Sequence, residues 1–181
     1  MKNTFKKSMT LFALVAAFAI IFVGCSKDSS SSSNGGNPTP TPPIGDYGTI
    51  TVAGQEYTIV VASYEAYYDE DLQKNVVAIG LADGISENAN TFALGLIGVQ
   101  NLPSNGTYNY TLQDPMPEGS CSGVLKSQLG VLLCIEGTAT LSGTTADYTI
   151  TSSGSATPLG GNGQEMSFSV DFNGPMIEAA K

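Results

Sequence analysis

Histidine, tryptophan and arginine are all missing from this 181-residue chain. Without histidine the commonest general base and the commonest metal ligand are unavailable. Neither a Ser-His-Asp nor a Cys-His arrangement can be assembled, nor a zinc site of ordinary composition. Without tryptophan the best stacking surface for cations and sugars is gone. Cations are scarce as well: three of the seven lysines, Lys2, Lys6 and Lys7, sit in the first few residues. Beyond position 24, Lys27, Lys74, Lys126 and Lys181 face all sixteen acids, a net charge of −12 against −9 for the whole chain. A surface this acidic repels nucleic acid and anionic headgroups, so no nucleic-acid partner is expected. These absences weigh against catalysis more than against binding, and the chain reads as a non-enzyme with no cofactor and no metal.

What is present begins with a leader. Lys2, Lys6 and Lys7 form a basic head, and Met9 to Val23 is almost wholly apolar. That length suits a signal-peptide core and is short for a membrane span. Phe22-Val23-Gly24-Cys25 follows, with a small residue before a cysteine. The pattern predicts a signal over 1–24, cleaved so that Cys25 becomes the first residue and carries lipid. The segment 25–45 then runs through five serines and Asn-Gly-Gly-Asn to Pro-Thr-Pro-Thr-Pro-Pro. Its Ser/Gly part cannot bury apolar surface, and its Pro/Thr part favours extended polyproline II of ~3 Å per residue, so it predicts a disordered tether.

Leader, tether and a Gly-rich remainder ending in Ser-Phe-Ser-Val-Asp-Phe-Asn-Gly-Pro (167–175) resemble the small surface lipoproteins of Bacteroidota. In that group a lysine followed by acids after the lipid-bearing cysteine directs export to the outer face. Cys25-Ser26-Lys27-Asp28 matches the start of that signal, with Ser29 where a second acid is usual. The resemblance implies an outer-membrane lipid anchor, the cell surface favoured over the periplasmic face.

The remainder, 46–181, is long enough to bury a core. Short apolar or alternating runs, rich in Thr, Tyr, Val and Ile and broken by Gly, Asn, Asp and Pro, predict strands at 49–52, 57–61, 76–81, 91–99, 107–112, 131–135, 138–141, 148–151 and 166–172. The fold class is all-β: one antiparallel β-sandwich or closed β-barrel of about eight to ten strands. The stretch 64–75 reads as a strand end and a polar loop. Cys121 and Cys134 are the cysteines left once Cys25 is acylated, and an oxidising envelope favours a disulfide between them. A hairpin with Ser127-Gln128 at its tip would set the two directly opposite each other.

Tyr64, Tyr67 and Tyr68, followed by Asp69 and Asp71, are the candidate ligand-binding residues, with Tyr108 and Tyr110 as further aromatics. Aromatic platforms beside acceptor groups suit sugar rings; against that, tyrosine is an ordinary strand residue. On a strand, Tyr64 and Tyr68 share one side and Tyr67 takes the other. Asp69, Asp71 and Asn75 could offer oxygens to calcium, but the spacing is that of no EF-hand and a solvated loop tip is the expected state. Three classes of function remain: a binding module for an extracellular glycan or envelope protein, a stalk-like structural component, and, remotely, a two-carboxylate hydrolase.

Overall fold

The computed structural model describes residues 43–86, 88–160 and 163–179. The leader, Cys25 and most of the tether lie outside the described residues, so the acylation and the start of the domain plan are not addressed by the fold. Among the described residues there are eleven strands and no helix. They are β1 (Gly48–Val52), β2 (Gln55–Thr58), β3 (Val61–Asp69), β4 (Lys74–Ala82), β5 (Thr91–Ile97), β6 (Gly106–Tyr110), β7 (Ser120–Ser127), β8 (Gly130–Thr144), β9 (Asp147–Pro158), β10 (Met166–Gly174) and β11 (Ile177–Glu178). The all-β expectation holds. The sandwich and the closed barrel do not: the strands form a single sheet, ordered β11-β3-β4-β5-β7-β6-β8-β9-β10-β1-β2, curled into a half-barrel.

Curling follows from strand twist and from a bulge. The β8–β9 register slips between Cys134 and Glu136, where Gly137 sits at φ 118°. Only glycine fits there, because a side-chain carbon at Gly137 would lie 2.1 Å from the Ser153 carbonyl oxygen. Strands distant in the sheet order therefore meet inside: the Phe92 ring of β5 lies 6.2 Å from that of Phe168 on β10, and Tyr110 of β6 lies 5.6 Å from Phe168. One apolar cluster, from Ile50 on β1 to Met176 beyond β10, fills the concave side. Ile59 and Val60 carry the chain from β2, at one end of the sheet order, to β3, next to the other end, and the Val60 amide donates to Ala82 O at 2.8 Å. The C-terminal segment ties the remaining gap: Met176 N donates to Thr145 O, and Ala179 N to Tyr64 O, both at 2.7 Å.

The outer face divides in two. From Val76 to Ala82 and from Phe92 to Ile97 every residue is buried, so β4 and β5 are covered on both faces. On their outer side Ala78, Ala93 and Val124 cluster with Tyr67, Val131 and Leu133. By contrast β8, β9 and β10 alternate buried and exposed residues along most of their length, with one face in the core and the other in water.

The stretch 64–75 is a strand end and a polar loop as expected, with β3 running on to Asp69 and residues 70–73 turning before β4 begins. One expectation needs correction here. The disulfide is absent, and both Cys121 and Cys134 are free thiols. The hairpin closes one residue later than predicted, with Ser127 opposite Gly130. The Ser127 hydroxyl accepts the Leu129 amide at 3.1 Å, and Gly130 takes the φ of 103°. That slip moves Gly123 opposite Cys134 and leaves Cys121 paired with Leu96 and Tyr110. Burial pushes the Cys121 thiol up to about 12 and raises that of Cys134 as well.

Candidate functional site

The five residues singled out by sequence do not meet on one surface. Tyr64 is 6% exposed and belongs to the core, its hydroxyl titrating high through burial and then through Glu178. Tyr67 points to the opposite face of β3 and packs on the outer cluster around Ala78, Ala93 and Val124. Burial, followed by the charges of Asp69 and Glu65, pushes its hydroxyl up to about 12. Tyr68 alone of the three is exposed, and its hydroxyl donates to Gln73 Oε1 at 3.3 Å. Alternation along the strand is as expected, but two of the three rings are used in packing.

Asp69 works on its own backbone. Its Oδ1 accepts the Asp71 amide at 3.0 Å and the Leu72 amide at 2.9 Å, which builds the turn between β3 and β4. Asp71 is exposed on that turn, and Asn75 lies in β4 opposite Tyr68. Among the described residues no group of three or more His, Cys, Asp or Glu side chains could hold a metal ion.

Tyr108 and Tyr110 point inward. Tyr110 donates to Ser152 Oγ at 2.7 Å, and Ser152 Oγ in turn donates to Thr138 O at 3.1 Å. The Tyr110 hydroxyl is pushed well up, chiefly by burial. Tyr108 and Ser104 share a hydroxyl contact at 2.6 Å, and Tyr148 donates to Ser104 O at 2.7 Å while accepting Ser104 N at 3.3 Å. These hydroxyls pin the segment between β5 and β6 against the end of the half-barrel, so they are structural.

The accessible feature that sequence reading passed over is the outer face of β6, β8, β9, β10, β1 and β2. Strand pairing sets Thr107, Thr140, Thr151, Asp171, Thr49 and Thr58 in one row across six strands. Two residues along, Asn109, Thr138, Ser153, Ser169, Thr51 and Glu56 make the next row. All twelve are exposed except the half-buried Thr49 and Thr51. Thr107 and Thr140 hydroxyls are 3.0 Å apart, and one row further out Asn173 Nδ2 donates to Thr149 Oγ1 at 2.9 Å. The two lysines among the described residues, Lys74 and Lys126, stand on β4 and β7, outside these two rows, with Lys126 opposite Val131 of β8. The signal was there in part: 138–141, 149–153 and 167–173 each alternate an outward polar residue with a buried one. The rows exist only once register is set. Comparison of the chain with known protein families, curated proteins and solved structures gives no match.

Proposed function

We propose that this chain is a lipoprotein, acylated at Cys25 and anchored in the outer membrane, whose β domain is a non-enzymatic binding module presented at the cell surface. Its partner is an extracellular glycan or an envelope protein. The observation that carries this reading is the order of parts: a basic head, an apolar run, Gly24-Cys25, a Ser/Gly/Pro tether and then an all-β domain whose first strand opens at Gly48. Lipid chains contribute ~0.8 kcal/mol for each buried CH₂, so several chains on one cysteine hold a protein in a membrane. The tether lifts the domain away from that membrane and leaves its exposed sheet face free to meet a partner.

Detergent partitioning of the wild type and of Cys25→Ala, with a clickable fatty acid as label, tests the anchor. The wild type is expected in the detergent phase and labelled, and Cys25→Ala unlabelled, as an uncleaved or soluble form. Normal labelling of that variant would sink the reading. Protease treatment of intact cells reads orientation: surface display predicts loss of the domain without lysis.

A further inference from the structure

We propose that the end of the half-barrel where the tether joins is a membrane-docking surface. Ile44, Ile85, Leu129 and Leu159 dip from it into the interface of a zwitterionic bilayer, the one that holds the lipid on Cys25. This rests on the anchoring reading above and adds how the domain sits on its membrane.

Strand register gathers the four side chains at one end. A single row, Val61, Ala82, Thr91, Lys126 and Val131, crosses β3, β4, β5, β7 and β8. Just past this row the chain turns from strand to strand: residues 83–90 join β4 to β5 and carry Ile85, and residues 128–129 join β7 to β8 and carry Leu129. Leu159 follows β9, and its amide donates to Val131 O at 2.8 Å. The tether arrives at the same place. Gly45 N donates to Val60 O at 3.1 Å, and Val60 N reaches Ala82 O, the last residue of β4, so Ile44 enters beside the β4–β5 connection.

These four side chains are 37–66% exposed, and the described residues hold two other large apolar side chains in that state, Tyr68 and Leu112. A single exposed leucine is ordinary, but four on neighbouring connections form a patch. Turn chemistry calls for Gly, Asn, Asp or Ser at such positions and gives Ile and Leu no conformational reason to be there.

The opposite end is built differently. Residues 70–73 and 111–119 meet there, tied by Lys74 Nζ donating to Met116 O at 2.8 Å, and they present Glu70, Asp71, Asp114 and Glu118, all exposed. The domain is therefore polarised, with an acidic end far from the tether and an apolar end beside it. The acids at the tether end decide the kind of membrane. Asp83 is half-buried and its two oxygens accept the backbone and side-chain N–H groups of Asn90; Glu165 is exposed, and Glu87 adds another acid to the loop sequence. Anionic headgroups would be repelled by these, and zwitterionic ones would not.

A few apolar tips bind a free bilayer weakly. A lipid on the same chain makes their insertion intramolecular, so a weak contact is occupied at high effective concentration. Ser/Gly-rich sequence of the length from Cys25 to Pro43 reaches ~25 Å, which permits a domain that stands off and one that rests on the surface. The apolar end selects the resting position, and end-on docking leaves both sides of the sheet open to a partner.

The chain has no tryptophan, so one introduced tryptophan reports its own surroundings. Mature, lipid-bearing Leu129→Trp and Leu112→Trp are reconstituted in phosphatidylcholine vesicles, with and without bromine on the acyl chains, and floated on a density gradient. Leu129→Trp should shift to the blue and lose at least half of its emission to the brominated lipid, while Leu112→Trp keeps its emission. Leu159→Trp replaces Leu129→Trp if that variant does not fold. Adding Ile85→Asp/Leu159→Asp to Leu129→Trp should abolish the quenching while the protein still floats. Floating protein without quenching, quenching that the two aspartates leave unchanged, or equal quenching of Leu112→Trp overturns the docking and leaves the anchor standing. Protein that does not float overturns the anchor and the docking together.

Discussion

Replacing Ser152 with alanine should destabilise the domain more than replacing Tyr110 with phenylalanine, although both remove a single oxygen from the same buried contact. Tyr110 and Ser152 are 7% and 4% exposed, and water cannot replace what is lost. In Tyr110→Phe the Ser152 hydroxyl keeps Thr138 O as its acceptor, so the loss is one net hydrogen bond, about 0.5–1.5 kcal/mol. In Ser152→Ala the Tyr110 hydroxyl is stranded. The Tyr110 ring packs against Phe168 and so close to Gly123 that a carbon added there would lie 2.7 Å from it, so the hydroxyl has little room to turn to another acceptor. Stranding a buried hydroxyl costs ~1–3 kcal/mol. The double variant removes donor and acceptor together and should be no worse than Ser152→Ala alone, giving a favourable coupling of about 1 kcal/mol between the two positions. Urea denaturation of the four proteins measures this, with unchanged slopes showing that only stability moved. Additive losses, or a Tyr110→Phe variant weaker than Ser152→Ala, would refute the reasoning.

Alkaline pH should unfold the domain in a window set by its tyrosines. Burial raises Tyr67 and Tyr148 from 10.0 to about 12, so between those values the unfolded chain releases protons that the native state keeps, and stability falls as pH rises. Tyrosinate absorbance from the buried rings, beyond that of exposed Tyr68, should appear together with loss of structure, and complete tyrosinate formation well before unfolding would contradict the burial. Gly154→Ala should cost at least ~2 kcal/mol in chemical denaturation, because the added carbon meets Glu136 O at 2.0 Å where backbone cannot yield. Native protein should resist thiol reagents, and unfolding without reductant should release two reactive thiols, Cys121 and Cys134; a count of none would restore the cross-link.

The sequence by itself determined the class of fold, because period-2 alternation and β-branched residues bounded by Gly and Pro admit little else. It also determined the charge balance and what that excludes, since composition does not depend on folding. Individual strands were legible wherever one side faces water, as in 148–151 and 166–172, which lie inside β9 and β10. Strand β7 was harder to read, since Ser120–Lys126 mixes Ser, Cys and Gly with apolar residues and is buried on both faces up to Leu125, which erases the alternation. Only the tertiary structure decided register, and register is a non-local property: a turn displaced by one residue exchanged Cys121 for Gly123 opposite Cys134. The same holds for the tyrosines. Spacing placed Tyr64 and Tyr68 on one side of β3, but which side the core occupies, and where the strand leaves it, depends on how the whole sheet curls. The hydroxyl rows have that origin too. Each strand carries its own alternation, while the alignment of six of them into one face is settled by pairing partners as distant as Thr49 and Asp171, where hydrogen bonds and side-chain packing act and sequence proximity does not.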